Sequence, residues 1–193
     1  MNGARRRGRN GTAVKIVVTG PFSAGKTTLI RTISEITVLS TERGISDETR
    51  VRKAQTTVAL DFGRITIDRD LVLYLFGTPG QDRFDFMWEI LGEGMLGYVV
   101  VLDGTATDPG GDARSIYDAF RRMAPTMQHV VAVNRGSGLD PEAEGELRAH
   151  LGLAAHVPIV PFDATDRESV KSVLLALLHE VLDALERAPA AAV

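Results

Sequence analysis

The sequence predicts a three-layer α/β fold, in which helices cover both faces of a six-stranded, mostly parallel sheet with one antiparallel edge strand. Short apolar runs alternate with longer segments of helical periodicity along most of the 193 residues. Two of these runs are joined by the polar turn Asp68-Arg69-Asp70, which is typical of a hairpin. The first run leads directly into a glycine-rich loop. A chain of this length suffices for one domain with a buried core.

The strands are predicted from the apolar runs in chain order. A run at 57–67 forms the hairpin with the next run and supplies the antiparallel strand. A turn centred on residues 68–70 places residue 77 opposite residues 60–62. The other five runs each precede a helical segment, as in repeated βαβ units, and they lie at 14–19, 71–76, 97–102, 129–133 and 157–162.

The last helix has the clearest local signals. Thr165 and Glu168 have the spacing of a capping box, and apolar side chains recur at helical spacing from Val170 to Leu185. Residues 36–56, by contrast, show neither a helical nor a strand pattern. A connection of that length inside a compact domain is usually functional.

Both ends of the chain are expected to lie outside the folded domain, which spans 13–187. Residues 1–12 are predicted to be a disordered basic arm, and residues 188–193 a disordered tail. The arm is either simply solvated or makes a weak peripheral contact with an anionic membrane surface. Its basic residues are Arg5, Arg6, Arg7 and Arg9.

The composition excludes several classes of protein. The chain has no cysteine, which rules out disulfides and thiolate metal sites. No apolar run approaches the roughly 18 residues that a membrane span requires. Aromatic residues are not interleaved with basic runs, so nucleic acid is not an expected partner. We therefore expect a cytoplasmic protein that associates with membranes only through the arm or through partners.

The loop after the first strand has the sequence of a phosphate-binding loop. Gly20, Gly25, Lys26 and Thr27 satisfy the pattern G-x-x-x-x-G-K-[ST], and the fold is therefore expected to be that of a P-loop NTPase. Backbone N–H groups at a helix N-terminus surround the phosphates, Lys26 contacts the β- and γ-phosphates, and the Thr27 hydroxyl ligates Mg²⁺. The loop residues predicted to bind nucleotide are Gly20, Phe22, Ser23, Ala24, Gly25, Lys26, Thr27 and Thr28.

Two further segments resemble the switch regions of Ras-like small GTPases. T-V-A-L-D-F at 57–62 is similar to switch I, and G-Q-D-R-F at 80–84 is similar to switch II. The departures described below make the chain similar to bacterial MglA-like and conservon-type GTPases, which pair with roadblock-fold proteins. The resemblance, over residues 13–187, implies the strand order 2-3-1-4-5-6 and a GTP/GDP switch in bacterial signalling. It also implies a roadblock-type regulator that contacts 37–57 and 77–92.

The same resemblance implies roles for individual residues. Thr57 would close onto Mg²⁺ and the γ-phosphate, with Thr56 as the competing candidate. The Gly80 N–H would sense the γ-phosphate, and Gln81 would orient the attacking water. The catalytic residues implied are thus Lys26, Thr57 and Gln81.

Two departures from the family pattern concern the phosphate end of the site. The usual Asp that helps hold Mg²⁺ is Gly77, and Asp61, expected opposite it in the hairpin, is our candidate replacement. The alternative is that Asp61 satisfies local backbone groups. The metal ligands predicted are then Thr27, Thr57 and Asp61. Phe22 stands where the family commonly has Gly and would crowd the γ-phosphate, which predicts slow hydrolysis.

A third departure concerns recognition of the base. V-N-R-G-S-G at 133–138 stands where the family has N-K-x-D, so Asn134 is retained, Arg135 replaces the Lys, and Ser137 replaces the Asp that accepts two hydrogen bonds from guanine. A hydroxyl cannot make that bidentate contact, although Asp140 lies three residues further on. The segment Asp163-Ala164-Thr165 resembles the family's S-A-K, whose Ala N–H binds guanine O6.

The three departures leave an alternative function open. A degenerate pseudo-GTPase scaffold would bind nucleotide weakly or without hydrolysing it. An ATP-dependent phosphotransferase finds little support, because the sequence shows no lid segment and no second arginine cluster.

Overall fold

The structure is a computed structural model that describes residues 12–40, 60–80, 85–136 and 139–187. The predicted arm and tail, apart from Thr12, lie outside these residues. The strands are β1 (Thr12–Thr19), β2 (Leu39–Ser40), β3 (Asp61–Asp68), β4 (Leu71–Gly77), β5 (Gly97–Asp103), β6 (His129–Asn134) and β7 (Ile159–Phe162). The helices are α1 (Lys26–Ile33), α2 (Asp85–Gly92), α3 (Pro109–Met123), α4 (Pro141–Leu151) and α5 (Arg167–Arg187).

The strands form one sheet in the order β2-β3-β4-β1-β5-β6-β7. β3 runs antiparallel to both of its neighbours, and the other pairings are parallel. The predicted fold class is confirmed, and the six longer strands have the order that the resemblance implied. The two-residue β2 adds a seventh strand, so β3 lies one place inside the edge. Within the described residues, no helix is long and apolar enough to cross a bilayer.

The register of the hairpin agrees with the expectation from its turn. Asp61 pairs with Gly77 and Phe62 pairs with Phe76, although an irregularity between Thr66 and Asp68 shifts the pairing near the turn. The polar turn therefore determines which side chain of β3 stands beside the end of β4.

The sheet separates two hydrophobic cores. α1 and α5 cover one face, and α2, α3 and α4 cover the other. β5 shows the division clearly, because successive side chains of a strand point to opposite faces. Val99 and Val101 belong to the first core, whereas Tyr98, Val100 and Leu102 belong to the second, and all five are 0% exposed.

The predicted capping box at the start of α5 is wrong by one residue. The helix begins at Arg167, and the backbone N–H groups of Glu168 and Ser169 donate to the Asp166 carboxylate. The Thr165 hydroxyl instead donates to Asp163. A carboxylate at the positive end of a helix satisfies these groups and is favoured by the helix dipole.

We predict opposite outcomes for two leucines of α5. Leu177 is 0% exposed in the first core, whereas Leu185 is 65% exposed. Leu177→Ala should lower the free energy of unfolding by about 2–5 kcal/mol, because it leaves a cavity. Leu185→Ala, the matched control, should change it by less than about 0.5 kcal/mol in dilute solution. Urea denaturation measures both, and equal effects would contradict the assignment of the two faces of α5.

Candidate nucleotide site

The phosphate loop lies at the carboxyl end of β1, in the middle of the sheet. This is the edge at which open α/β sheets bind their ligands. Gly25 has a φ of 110°, and a Cβ there would lie 2.4 Å from Asn134 Nδ2, so both conformation and space require glycine. Ser23 has a φ of 62°, which is unusual for a residue with a side chain. The motif is thus a tight loop packed against the end of β6.

Lys26 directs its ammonium group into this loop. The side chain is buried, and Nζ donates to the carbonyl oxygens of Gly20 at 2.7 Å and Pro21 at 2.5 Å. The ammonium group is therefore held at the centre of the loop, where an anionic ligand would be stabilised by its charge.

Gly80 lies directly against the loop. A Cβ on Gly80 would be 2.5 Å from the Phe22 nitrogen and 2.8 Å from Lys26 Nζ. Phe22 itself is 65% exposed at the mouth of the site. A cavity of about 260 Å³ lies here, lined by residues of the loop and α1, by Asp61 and by Thr78, Pro79 and Gly80. The loop and the segment after β4 thus form two walls of one cavity.

Thr27 and Asp61 meet at a third side of the cavity. The Thr27 hydroxyl donates to the Asp61 carboxylate across the gap between α1 and β3. A Cβ on Gly77 would lie 3.0 Å from the Asp61 Cβ, so a side chain at residue 77 would compete with Asp61 for space. Glycine at 77 therefore makes room for the carboxylate on the neighbouring strand.

Threonines missed by the sequence reasoning hold the segment after β4 in place. The Thr78 hydroxyl donates to the Thr19 hydroxyl at 2.9 Å, and the Thr78 N–H donates to Val18 O at 2.9 Å. Both threonines are buried. Trp88 of α2 is buried in the second core, and its Nε1 lies 3.5 Å from Pro79 O. Two β-branched polar residues at strand ends look like ordinary strand residues in a sequence, which is why they were overlooked.

Asn134 joins the phosphate loop to the segment at 163–165. Its Nδ2 donates to Ala24 O at 3.0 Å, and its Oδ1 accepts the Ala164 N–H at 3.0 Å. Asp163 and Thr165 form a local turn, because the N–H and hydroxyl of Thr165 both donate to Asp163. These residues thus lie together at one end of the sheet, and the Ala164 N–H has a protein acceptor.

Arg135 forms an ion pair with a residue that the sequence reasoning did not select. Its guanidinium donates through Nε (3.0 Å) and Nη2 to the two oxygens of Asp103, at the end of β5. Nη2 also lies 3.4 Å from Ser23 O in the phosphate loop. The bond from Arg135 lowers the pKa of Asp103 to about 2. Arg135 has a φ of 59°, and this left-handed backbone turns its side chain towards the loop.

Other predicted residues are not brought to the site or cannot be placed. Asp140 caps α4 by accepting the Ala143 N–H at 2.9 Å. Thr57, Gln81 and Ser137 lie outside the described residues and stay predictions. Among the residues that are described, no three His, Cys, Asp or Glu side chains cluster as a metal site. A metal ion here would be held by Thr27 and Asp61 together with phosphate oxygens.

Comparison with known proteins gives two findings. Over 92 residues the chain is 38% identical to an uncharacterized protein of Methanocaldococcus jannaschii, a match that covers 48% of this chain and 52% of that protein. The chain therefore spans about half the length of this relative. Residues 18–186 match the model of a family described as conserved hypothetical ATP binding protein. That match covers the end of β1, the phosphate loop and every later strand, and the chain belongs to this family of P-loop nucleotide-binding proteins.

Proposed function

We propose that the protein is a GTP/GDP-binding switch that hydrolyses GTP slowly. One observation carries this proposal: Gly80 packs directly against Phe22 and Lys26 of the phosphate loop. Because the two segments line the same cavity and contact each other, a change in the phosphates at the loop would displace the segment after β4. Nucleotide binding itself follows from family membership, whereas guanine and switching are our inference.

The residues of the cavity suit a magnesium-bound triphosphate. A bound nucleotide would supply the phosphate charge and the γ-phosphoryl bond that is hydrolysed. Lys26 would offer its ammonium group to the β- and γ-phosphates, and Thr27 and Asp61 would offer two oxygen ligands to Mg²⁺. Gln81 would orient water and Thr57 would close over the metal, as the resemblance implies. Phe22 at the mouth of the site would leave little room for a stabilising arginine, which favours slow turnover.

The base is proposed to stack on Arg135. Asp103 and Ser23 hold the guanidinium between the ends of β5, β6 and the loop, so its flat face is available to a purine ring. Stacking alone discriminates poorly between guanine and adenine. Ser137 cannot make the bidentate contact to guanine that an Asp would make. We propose guanine as the preferred base, with weak discrimination against adenine.

The partner surface is proposed to comprise residues 37–57 and 77–92. Ile90 of α2 is 66% exposed within the second of these segments, as expected for a residue that contacts a partner. The resemblance suggests a roadblock-type regulator in bacterial signalling, and a weak membrane contact through the arginines of the arm. A pseudo-GTPase scaffold, favoured by Gly77, Phe22 and Ser137, remains the competing function.

Calorimetric titration of nucleotide-free protein with GDP, GTP and ATP, with and without Mg²⁺, tests the proposal. We expect guanine nucleotides to bind more tightly than ATP by about tenfold or less, because the charge-assisted contact is lost. Lys26→Ala should abolish binding of all three, whereas Lys171→Ala on α5, which does not line this cavity, should not change it. Phosphate release slower than one turnover per minute would support the switch. Tight binding with no release over days would favour the scaffold, and no binding at all would refute both.

A second prediction concerns the carboxylate beside Gly77. Asp61→Ala should remove most of the gain in GDP affinity that Mg²⁺ provides, because the cavity loses its only acidic wall among the lining residues that the structure describes. Asp183→Ala, an exposed carboxylate on α5, is the control. Affinity is measured over a range of Mg²⁺ concentrations. If the Mg²⁺ dependence of Asp61→Ala matches that of the wild type, Asp61 serves only its contact with Thr27.

A third prediction concerns the ion pair between Arg135 and Asp103, on which the base is proposed to stack. Asp103→Asn should speed dissociation of both guanine and adenine nucleotides several-fold, because Arg135 loses its charged partner. Asp118→Asn breaks a comparable exposed pair with Arg114 and should have no effect. The pKa of Asp103 is lowered from its ordinary value of 3.8 to about 2 in the folded protein. The stabilisation from the ion pair is therefore fully present above pH 3.8 and is lost as the pH falls towards 2.

Stopped-flow measurement with fluorescent nucleotides at pH 7 gives the dissociation rates for this comparison. Equal rates in Asp103→Asn and Asp118→Asn would show that the pair does not position the base. A change confined to guanine would show that Asp103 contacts the base directly.

A further inference from the structure

The helix α5 has a second apolar face that the described part of the chain leaves exposed. Leu175, Leu178, Leu182 and Leu185, which we call the leucine stripe, lie beside the core-facing residues of the same helix. Leu175, Leu182 and Leu185 are 53%, 54% and 65% exposed, and Leu178 is half-buried. Exposed leucines scattered singly are ordinary, but three in one line with a fourth that is half-buried are not.

The spacing of the stripe is that of a helix–helix seam. The four leucines alternate between intervals of three and four residues, which is the pattern by which two helices interlock their side chains. A hollow of about 240 Å³ adjoins the stripe between α5 and the β3–β4 hairpin. Ile67, 51% exposed on β3, extends the apolar surface across this hollow. The patch is thus wider than one helix and has room for a side chain from another molecule.

We propose that the leucine stripe is the interface of a homodimer, formed by antiparallel pairing of α5 with α5 of a second copy of this chain. The stripe is complementary to itself, because residue 180 is the midpoint both of Leu175 and Leu185 and of Leu178 and Leu182. A two-fold axis there places Leu175 against Leu185 of the second copy, and Leu178 against Leu182. Such an interface uses the same surface on both molecules, as two-fold dimers require.

The charges beside the stripe favour the antiparallel direction. Lys171 lies towards the start of α5 and Glu186 towards its end, on the same side of the helix as the stripe. Antiparallel pairing brings each Lys171 near Glu186 of the second copy, whereas parallel pairing would place like charges together. Lys171 pairs with Glu168 within its own helix at 2.6 Å, but this exposed ion pair is weak enough to exchange.

The dimer is expected to depend on protein concentration. Four leucines and a neighbouring isoleucine provide less surface than the roughly 800 Å² per partner that is typical of a stable interface. Sedimentation velocity over a hundredfold range of concentration should therefore show a monomer that converts to a dimer. Leu182→Glu should keep the protein monomeric throughout that range. Ile90→Glu, which changes an exposed side chain on α2, should leave the dimer intact.

Cysteine cross-linking tests the direction, because the natural chain has no cysteine. Residue 179 lies next to the proposed axis. The cysteine of His179→Cys should therefore form a disulfide with the same cysteine of the second copy under mild oxidation. Ser172→Cys alone should not, but it should cross-link when mixed with Glu186→Cys, which would lie two residues from the position opposite it. A wild type that stays monomeric, a dimer that survives Leu182→Glu, or efficient cross-linking of Ser172→Cys with itself would each overturn the proposal. None of these outcomes depends on nucleotide, so the inference can fail independently of the proposed function.

Discussion

The side-chain amide of Asn134 is the contact on which the whole site depends. It is buried at the end of β6, donates to Ala24 in the phosphate loop, and accepts from Ala164 before α5. Gly25 approaches the same amide so closely that no Cβ fits between them. A buried amide without these partners would be costly, so this group ties the loop to the 163–165 segment, and the Thr32 hydroxyl of α1 adds a bond to Ala164 O. Replacing Asn134 would therefore disturb the phosphate side and the base side together.

A second constraint links the two strands of the hairpin. Strand β4 ends in Gly77, so no side chain there can help to hold a metal, yet the hairpin register puts a carboxylate in the adjacent space. Asp61 then reaches the Thr27 hydroxyl on α1. Under the proposed function, Asp61 would take the place of the Asp that the resemblance leads one to expect at residue 77. A glycine and an acidic residue that look unrelated in sequence thus depend on each other in space.

The sequence was sufficient for those features that follow from local chemistry. The loop glycines, the alternation of strands and helices and the register set by Asp68-Arg69-Asp70 all depend on residues close together in the chain. The pair between Arg135 and Asp103 could not be predicted in this way. It needs β5 and β6 to end side by side, and it needs Arg135 in a left-handed conformation that its residue type does not signal. The two-residue β2 is too short for any periodic pattern, and Asp166 competed with Thr165 for the same capping role.

The helix α5 connects the site to the proposed dimer surface without placing one over the other. Its first turn is anchored beside the site, where the Asp163 N–H donates to Ser169 and Arg167 lies 3.3 Å from Thr32 O of α1. At about 1.5 Å per residue, the centre of the leucine stripe lies roughly 20 Å further along the helix. Two copies paired through their stripes would therefore leave both phosphate loops open to nucleotide. The core-facing leucines hold α5 rigidly against the sheet between these two regions, so the dimer would carry two independent sites rather than one shared site.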